Sequence, residues 1–201
     1  MPSSQKVKPA DFLMKYSKYL SKLLGNLDFK AVEKVANLII RQSGRGKTIY
    51  IIGNGGSAST ASHFATDLMH CSLIGHRPII RAISLSDNTS LITAIGNDKG
   101  YEQIFSKQLE RVADKGDILM AISASGNSRN LIEAFKRAKN MGMTTVALLG
   151  FDGGKMLKLA DHVIHVRTPM GEYGPVEDTH LFLDHMITFY IGLVLNSKKH
   201  K

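Results

Sequence analysis

The sequence predicts an α/β protein with one domain, in which helices cover both faces of a parallel β-sheet. Two observations support this prediction. Five short β-branched or apolar runs occur along the chain, and each precedes a helical pattern or a loop rich in Gly, Ser and Asn, which is the rhythm of βαβ units. The 201 residues, 43% of them hydrophobic, supply enough apolar material for a single sizeable core.

Two amphipathic helices precede the first strand, because apolar residues recur there at intervals of three and four. These residues are Phe12, Tyr16, Leu20, Leu23 and Leu24, then Val32, Val35, Leu38 and Ile39. The five predicted strands are TIYIIG (48–53), IIRAISL (79–85), DILMAIS (117–123), TVALLG (145–150) and DHVIHV (161–166). Between the last two, FDGGKM is interpreted as a turn before a short helix. An apolar pattern from Val176 to Val194 predicts a closing helix after an irregular loop, TPMGEYGP (168–175).

Composition and charge exclude several classes of protein. No apolar run reaches the roughly 18 residues of a membrane span, and the N-terminal residues lack the apolar stretch of a secretory signal. We therefore expect a cytoplasmic protein with no membrane partner. The single cysteine, Cys71, excludes an internal disulfide and a cysteine-based zinc site. The net charge of +9 is concentrated in KVK near the start and KKHK at the end, and no aromatic residues interleave with a basic stripe, so nucleic acid is not the expected partner.

Two loops at strand ends have the composition of anion-binding loops. The first, GNGGSAS (53–59), combines three glycines with hydroxyl donors at a helix start, and the second, ISASGNS (122–128), places three serines around Gly126. Both follow the carboxyl ends of predicted parallel strands, where ligands bind. Neither loop fits a dinucleotide fingerprint or a Walker loop, so together they predict a small phosphorylated ligand. Each loop alone would also fit a capped turn without a ligand.

These residues resemble the sugar isomerase (SIS) domain and, within it, the phosphoheptose isomerase family. The stretches that carry the resemblance are GNGGSAS, SHFATDL, TAIGNDKGYEQIFSKQ, GDILMAISASGNS, GMTTVALLGFDGGKM and VEDTHLFLDH. The resemblance implies a single SIS domain over 1–201, with a helical hairpin over 9–43 and an α/β core over 48–196 built on a doubly wound five-stranded parallel sheet. It also implies a homotetramer with sites at subunit interfaces. The implied reaction isomerises a phosphorylated sugar, sedoheptulose 7-phosphate, to D-glycero-D-manno-heptose 7-phosphate for surface polysaccharide and lipopolysaccharide synthesis.

The resemblance also implies which residues bind the substrate. The sugar would contact Asn54, Gly55, Gly56, Ser57 and Glu177, with Asn97 and Asp98 nearby. The phosphate would be held by Ser123, Ala124, Ser125 and Ser128. The family usually has Thr at the position of Ala124, so one hydroxyl donor is missing. Because the backbone N–H groups survive that change, we expect phosphate binding to be weakened rather than abolished.

Aldose–ketose isomerisation moves a proton between adjacent carbons through an enediol, which requires a base and a means of stabilising charge on two oxygens. His63 and Asp67 are four residues apart on one helix and therefore share a face. Glu177 and His185 are eight apart on the closing helix, about 80° from each other around its axis. The resemblance implies that these four positions bind a divalent metal, often zinc, and that Asp67 and His185 transfer the protons.

The chain departs from the family at two of these positions, with Asp67 where Glu is common and Glu177 where Gln is common. Asp is shorter by one methylene, about 1.5 Å, and a misplacement of about 1 Å can cost on the order of 100-fold in rate. Glu177 adds a carboxylate and completes a nitrogen and oxygen donor set suited to zinc or a similar dication. We expect Asp67 and His185 to keep the acid–base roles, with Glu177 as a ligand or a substitute base.

Alternatives to this hypothesis stay open. His63 and Asp67 would also fit a pair that only caps or hydrogen bonds on a helix face. His180 is a further candidate for a substrate hydrogen bond, and its spacing fits a surface residue equally well. A second function class is a non-catalytic SIS protein that binds a sugar phosphate or another protein, like the replication-initiator-associating relatives. Histidines and carboxylates at all four metal positions favour the enzyme, because a scaffold needs no ligand chemistry there.

Overall fold

The computed structural model describes residues 8–71 and 78–197. Most of the basic residues at the two ends of the chain lie outside these ranges. The helices are α1 (Pro9–Gly25), α2 (Phe29–Ser43), α3 (Gly56–His70), α4 (Thr89–Lys99), α5 (Ser106–Val112), α6 (Arg129–Asn140), α7 (Met156–Leu159) and α8 (Tyr173–Ser197). The strands are β1 (Thr48–Gly53), β2 (Arg81–Ser84), β3 (Ile118–Ser123), β4 (Thr144–Leu149) and β5 (His162–His165).

The five strands form one parallel sheet in the order β2-β1-β3-β4-β5, which confirms the predicted doubly wound α/β fold. The winding direction reverses between β1 and β3, because the chain continues from β1 to one side and returns with β3 on the other. In such sheets ligands bind at this reversal, beyond the carboxyl ends of the strands. Loops 53–59 and 122–128 leave β1 and β3 and therefore border the reversal on both sides.

Two apolar cores cover the two faces of the sheet. Ile49 and Ile51 of β1 belong to the core formed with α2, α3 and α8. Tyr50 and Ile52 point the other way and belong to the core formed with α5 and α6. Because the central strands are buried on both faces, they consist of nearly continuous apolar residues. This burial fixes the strand ends, and hence the loops that follow them.

The two N-terminal helices pack mainly against α8 rather than against each other. Asp28 begins α2 by accepting hydrogen bonds from the N–H groups of Lys30 and Ala31. Along α2 all four predicted apolar residues are buried, whereas α1 buries only Leu23 and leaves Phe12 55% exposed. Only the end of the predicted apolar stripe of α1, Leu23 and Leu24, therefore packs on the core of a single chain.

Helix α8 begins at Tyr173, so the prediction of an irregular loop over 168–175 is wrong for its last three residues. Pro175 is tolerated because it lies in the first helical turn, where its missing N–H would have no helical partner. This early start places Glu177 on the second turn of the helix. None of the helices within the described ranges is long and apolar enough to cross a membrane.

Candidate active site

A pocket of about 170 Å³ lies between the loops that follow β1 and β3. Seven of the predicted substrate residues line it: Asn54, Ser57, Ser123, Ala124, Ser125, Ser128 and Glu177. We call it the serine pocket. Its hydroxyl groups and the start of α6 provide the donors that an anion requires. Tyr173, from the segment TPMGEYGP that was predicted to border the sugar, also lines the pocket.

The carboxylate of Glu177 lies directly over Gly56, the first residue of α3. A Cβ atom on Gly56 would be 2.6 Å from Glu177 Oε2, so only glycine allows this approach. A negative charge at a helix N-terminus interacts favourably with the helix dipole. Among the described residues the Glu177 carboxylate has neither a hydrogen bond nor an ion pair. It is therefore available to a ligand in the serine pocket.

Loop 122–128, which we call the serine loop, is held in shape by the two glycines of FDGGKM, Gly153 and Gly154. Gly126 has a φ of +60°, and a Cβ atom there would lie 2.1 Å from the carbonyl oxygen of Gly153. A Cβ atom on Gly154 would lie 2.4 Å from the carbonyl oxygen of Ser125. The N–H of Met156 donates to the Gly126 carbonyl at 3.0 Å. The glycine pair is thus more than a turn, since it lets two loops pack backbone against backbone.

Four of the predicted substrate residues do not line this pocket: Gly55, Gly56, Asn97 and Asp98. Asn97 and Asp98 are exposed near the end of α4, where the Asn97 amide donates to the Asp98 carboxylate at 2.9 Å. Neither lines the serine pocket. Their assignment to the substrate stays a prediction.

Four side chains form a second group on α3 and α8: His63, Asp67, Asp184 and His185. Each offers a donor atom, and these atoms all lie within 4.8 Å of one another. His63 Nδ1 is 2.9 Å from Asp184 Oδ2 and 3.6 Å from Asp67 Oδ2. His185 Nε2 lies 3.9 Å from the same Asp67 oxygen. We call this group the histidine cluster.

The histidine cluster contains three of the four predicted metal ligands, with Asp184 in addition. Glu177 is not part of it, and its assignment as a metal ligand stays a prediction. Sequence reasoning missed Asp184, which lies next to His185 in an apolar stretch, LFLDHMITF. An acidic residue among buried apolar neighbours is unusual, and that signal could have identified it.

Asp184 is fully buried, and its Oδ1 atom has no hydrogen bond among the described residues. Burial raises the pKa of Asp184 to about 6, against the opposing hydrogen bond from His63. A buried polar atom without a partner is costly, and a cation among these donors would remove that cost. Two imidazoles and two carboxylates are donors that suit a divalent first-row metal, so the cluster fits such an ion.

The serine pocket and the histidine cluster lie at different positions along the axes of the same two helices, α3 and α8. Helices α3 and α8 pack together and run in the same direction, since Gly56 meets Glu177 and, seven residues further on, His63 meets Asp184. Seven helical residues correspond to about 10 Å. A ligand that reached both sites would therefore need to be an extended molecule.

Comparison with known proteins decides the family. Residues 11–150 match the SIS domain. Over 155 residues the chain is 43% identical to the phosphoheptose isomerase of Alteromonas mediterranea, which covers 77% of this chain and 78% of that one. The chain belongs to the phosphoheptose isomerase family. It is also 42% identical over 168 residues to the phosphoheptose isomerase of Helicobacter pylori strain P12, with 84% of this chain and 85% of that one covered.

A solved phosphoheptose isomerase from Francisella tularensis has the same fold. It superposes with a TM-score of 0.81 at 27% identity and covers 92% of this chain and 98% of its own. Membership in the phosphoheptose isomerase family agrees with the resemblance inferred from the motifs.

Proposed function

We propose that this phosphoheptose isomerase family member converts sedoheptulose 7-phosphate to D-glycero-D-manno-heptose 7-phosphate, for the synthesis of surface polysaccharide. The observation that carries the proposal is the pairing of an anion pocket with an acid–base group about 10 Å away along two helices. In a heptulose 7-phosphate the phosphate and the reacting carbons, C1 and C2, lie at opposite ends of the chain. This separation suits a long sugar phosphate better than a triose phosphate.

In the proposed complex the phosphate occupies the serine pocket. Hydroxyl groups of Ser123, Ser125 and Ser128 and the N–H groups at the start of α6 bind its oxygens. Ala124 contributes only its backbone there, which weakens binding relative to a threonine. The sugar then extends past Gly56 and Glu177 toward the histidine cluster.

The chemistry requires two proton transfers at carbon and one between the two oxygens. A base removes a proton from C1 of the ketose to give an enediol, and an acid returns a proton to C2 while the O1 proton is transferred to O2. We assign acid–base roles to Asp67 and His185. Glu177 would be a substitute base only for a substrate whose reacting carbons lie beside Gly56. In the extended complex it is placed to bind a sugar hydroxyl, because its half-buried carboxylate faces the pocket and is unpaired among the described residues.

We further propose that the histidine cluster holds zinc or a similar dication through His63, Asp67, Asp184 and His185. Such an ion would polarise the substrate carbonyl and stabilise the negative charge of the enediol. The nitrogen and oxygen donors and the unpartnered Asp184 oxygen support this assignment. Metal content measured by mass spectrometry after dialysis tests it, and a chain that retains no dication would contradict it.

We also propose a homotetramer with sites at subunit interfaces. Asp67 and His185 border a groove of about 750 Å³ along α8, whose other lining residues include Phe182, Phe189 and Leu193. Phe189 is 73% exposed in the single chain. Exposed aromatic side chains in a groove favour a protein interface, and a second copy seated there would adjoin the histidine cluster. Light scattering of the wild type and of Phe189→Glu tests the assembly, since the variant should dissociate.

The decisive experiment incubates the purified protein with sedoheptulose 7-phosphate, with added dications or with a chelator, and follows aldose formation. Replacing Asp67 with Asn should lower kcat by about 100-fold or more and leave the fold intact. Glu177→Gln installs the amide that is common in the family and should therefore cost much less in kcat than Asp67→Asn. Glu33→Gln, an exposed site on α2, is the matched control and should keep full activity. Substrate binding without turnover under every metal condition would instead support the non-catalytic binding protein.

A further inference from the structure

Two asparagine side chains bridge the loops on either side of the sheet reversal. Asn54 follows β1, and Asn130 lies in the first turn of α6, directly after the serine loop. The Asn54 Nδ2 group donates to Asn130 Oδ1 at 3.0 Å, and Asn130 Nδ2 donates to Asn54 Oδ1 at 2.8 Å. Asn130 is only 2% exposed, so water competes little for these two bonds.

Both amide groups are almost fully used within the protein. The Asn54 oxygen also accepts from the hydroxyl of Tyr101 at 3.1 Å, and the Asn130 oxygen also accepts from the N–H of Leu131 at 3.0 Å. An amide oxygen has two lone pairs and an amide nitrogen two N–H groups. The Asn54 side chain therefore keeps one N–H for a ligand, and most of its capacity holds its own loop in place.

We propose that Asn130 is a positioning residue that sets the separation between loop 53–59 and the serine loop. The inference rests on the proposed function, in which the substrate places its phosphate on one loop and its sugar on the other. Among the described residues the Asn54–Asn130 pair supplies the side-chain hydrogen bonds that join these two loop regions. A ligand that touches both loops depends on their separation, whereas inorganic phosphate, held by the serine loop, does not.

The test compares the wild type with Asn130→Ala and with Asn140→Ala, an exposed control at the other end of α6. Three quantities are measured: the exchange rate of the amides of residues 54–57, KM for sedoheptulose 7-phosphate, and the inhibition constant of inorganic phosphate. We expect Asn130→Ala to speed amide exchange and raise KM about tenfold, because it removes both hydrogen bonds between Asn130 and Asn54. The phosphate inhibition constant should change less than about threefold, and the control should change nothing.

Unchanged exchange and unchanged KM in a folded Asn130→Ala variant would overturn the proposal. Equal increases in KM and in the phosphate inhibition constant would also overturn it, since they would mean that the serine loop itself is damaged. If Asn130→Ala does not fold, Asn130→Asp keeps the side-chain size and removes the N–H group that donates to Asn54 Oδ1. That variant should also speed exchange at 54–57, and wild-type exchange would refute the proposal. A wild type without turnover refutes the proposed reaction, while amide exchange still decides the role of Asn130.

Discussion

Tyr16 on α1 donates a hydrogen bond to the carboxylate of Asp178, the residue that follows Glu177. One helical turn further along α1, Tyr19 donates in the same way to Glu172, just before α8. The bond to Asp178 raises the pKa of Tyr16 to about 12. Because α1 buries so little apolar surface, these bonds are important links between α1 and the start of α8.

Removing both hydroxyl groups should therefore disturb the serine pocket from a distance. In Tyr16→Phe/Tyr19→Phe we expect KM for the sugar phosphate to rise about threefold, since each hydrogen bond contributes about 1 kcal/mol at most and only part of that loss is transmitted to the pocket. Steady-state kinetics measure this effect. Tyr190→Phe, on α8, is the matched control and should leave KM unchanged. A double variant with wild-type KM would show that α1 does not influence the pocket.

Replacing Gly56 with Ala should move the Glu177 side chain without unfolding the protein. The new Cβ atom would lie 2.6 Å from a carboxylate oxygen, which is the end of a flexible side chain and can turn away. We expect kcat/KM to fall about tenfold, because the sugar extends past the Glu177 carboxylate and a substrate misplaced by about 1 Å loses rate steeply. Enzyme kinetics and circular dichroism measure rate and fold. Gly25→Ala is the control, since nothing lies within 4 Å of its Cβ position, and equal effects of the two changes would contradict this interpretation.

Replacing Asp184 with Asn should weaken metal binding and stabilise the metal-free protein. The folded-state pKa of Asp184, about 6, is raised by burial above its ordinary value of 3.8. The favourable contribution of this carboxyl group to the free energy of unfolding is complete below pH 3.8 and is lost as the pH rises through 6. The neutral amide of Asn should therefore stabilise the folded protein most above pH 6. Zinc affinity should fall at least about 10-fold, because losing a ligand costs no less than losing a group that only orients one.

Calorimetry with Zn²⁺ and thermal unfolding at pH 8 measure the two effects of Asp184→Asn. The exposed Asp11→Asn is the control for the loss of one negative charge. An amide variant that binds zinc as tightly as the wild type would exclude Asp184 from the metal site.

His180 should make the protein sensitive to acid. It is fully buried, neither ring nitrogen has a hydrogen bond among the described residues, and burial lowers the pKa of His180 to about 4. The unfolded chain binds this proton near the ordinary pKa of 6.5. Stability is therefore retained above pH 6.5 and falls between pH 6.5 and 4, by up to about 1.4 kcal/mol per pH unit.

Urea unfolding at several pH values, with His180→Leu as the variant, measures this slope. The variant should lose less stability than the wild type between pH 6.5 and 4. His162→Leu, at a more accessible position, is the control for the loss of an imidazole. If the free energy of unfolding changes with pH in the same way in the wild type and in His180→Leu, then His180 is not the source of the acid sensitivity.

Sequence patterns predicted the fold because the central strands and the two loops carry strong local signals. The strand runs, the glycine and serine loops and the i, i+4 pair of His63 and Asp67 could all be identified before any coordinates. Contacts between segments that are distant in the sequence could not be identified in this way. Asp184 meets His63 only because α3 and α8 run side by side, and Asn130 meets Asn54 only because β1 and β3 are neighbours.

The wrong loop boundary has a physical reason of the same kind. Gly174 and Pro175 are typical of turns, yet the first turn of a helix tolerates both. Contacts from α1 and from the Phe151 ring, which packs edge-on against Tyr173 at 5.0 Å, favour a helical start there. The local preference for a turn was thus overridden by packing against residues that are distant in the sequence.

The backbone contact between Gly126 and Gly153 also limits how new ligand preferences can be engineered into this protein. Any side chain added at Gly126 collides with the main chain of the neighbouring loop, so the two segments must be redesigned together. Libraries aimed at different phosphorylated compounds should instead vary Tyr173, whose ring borders the same cavity from an independent helix.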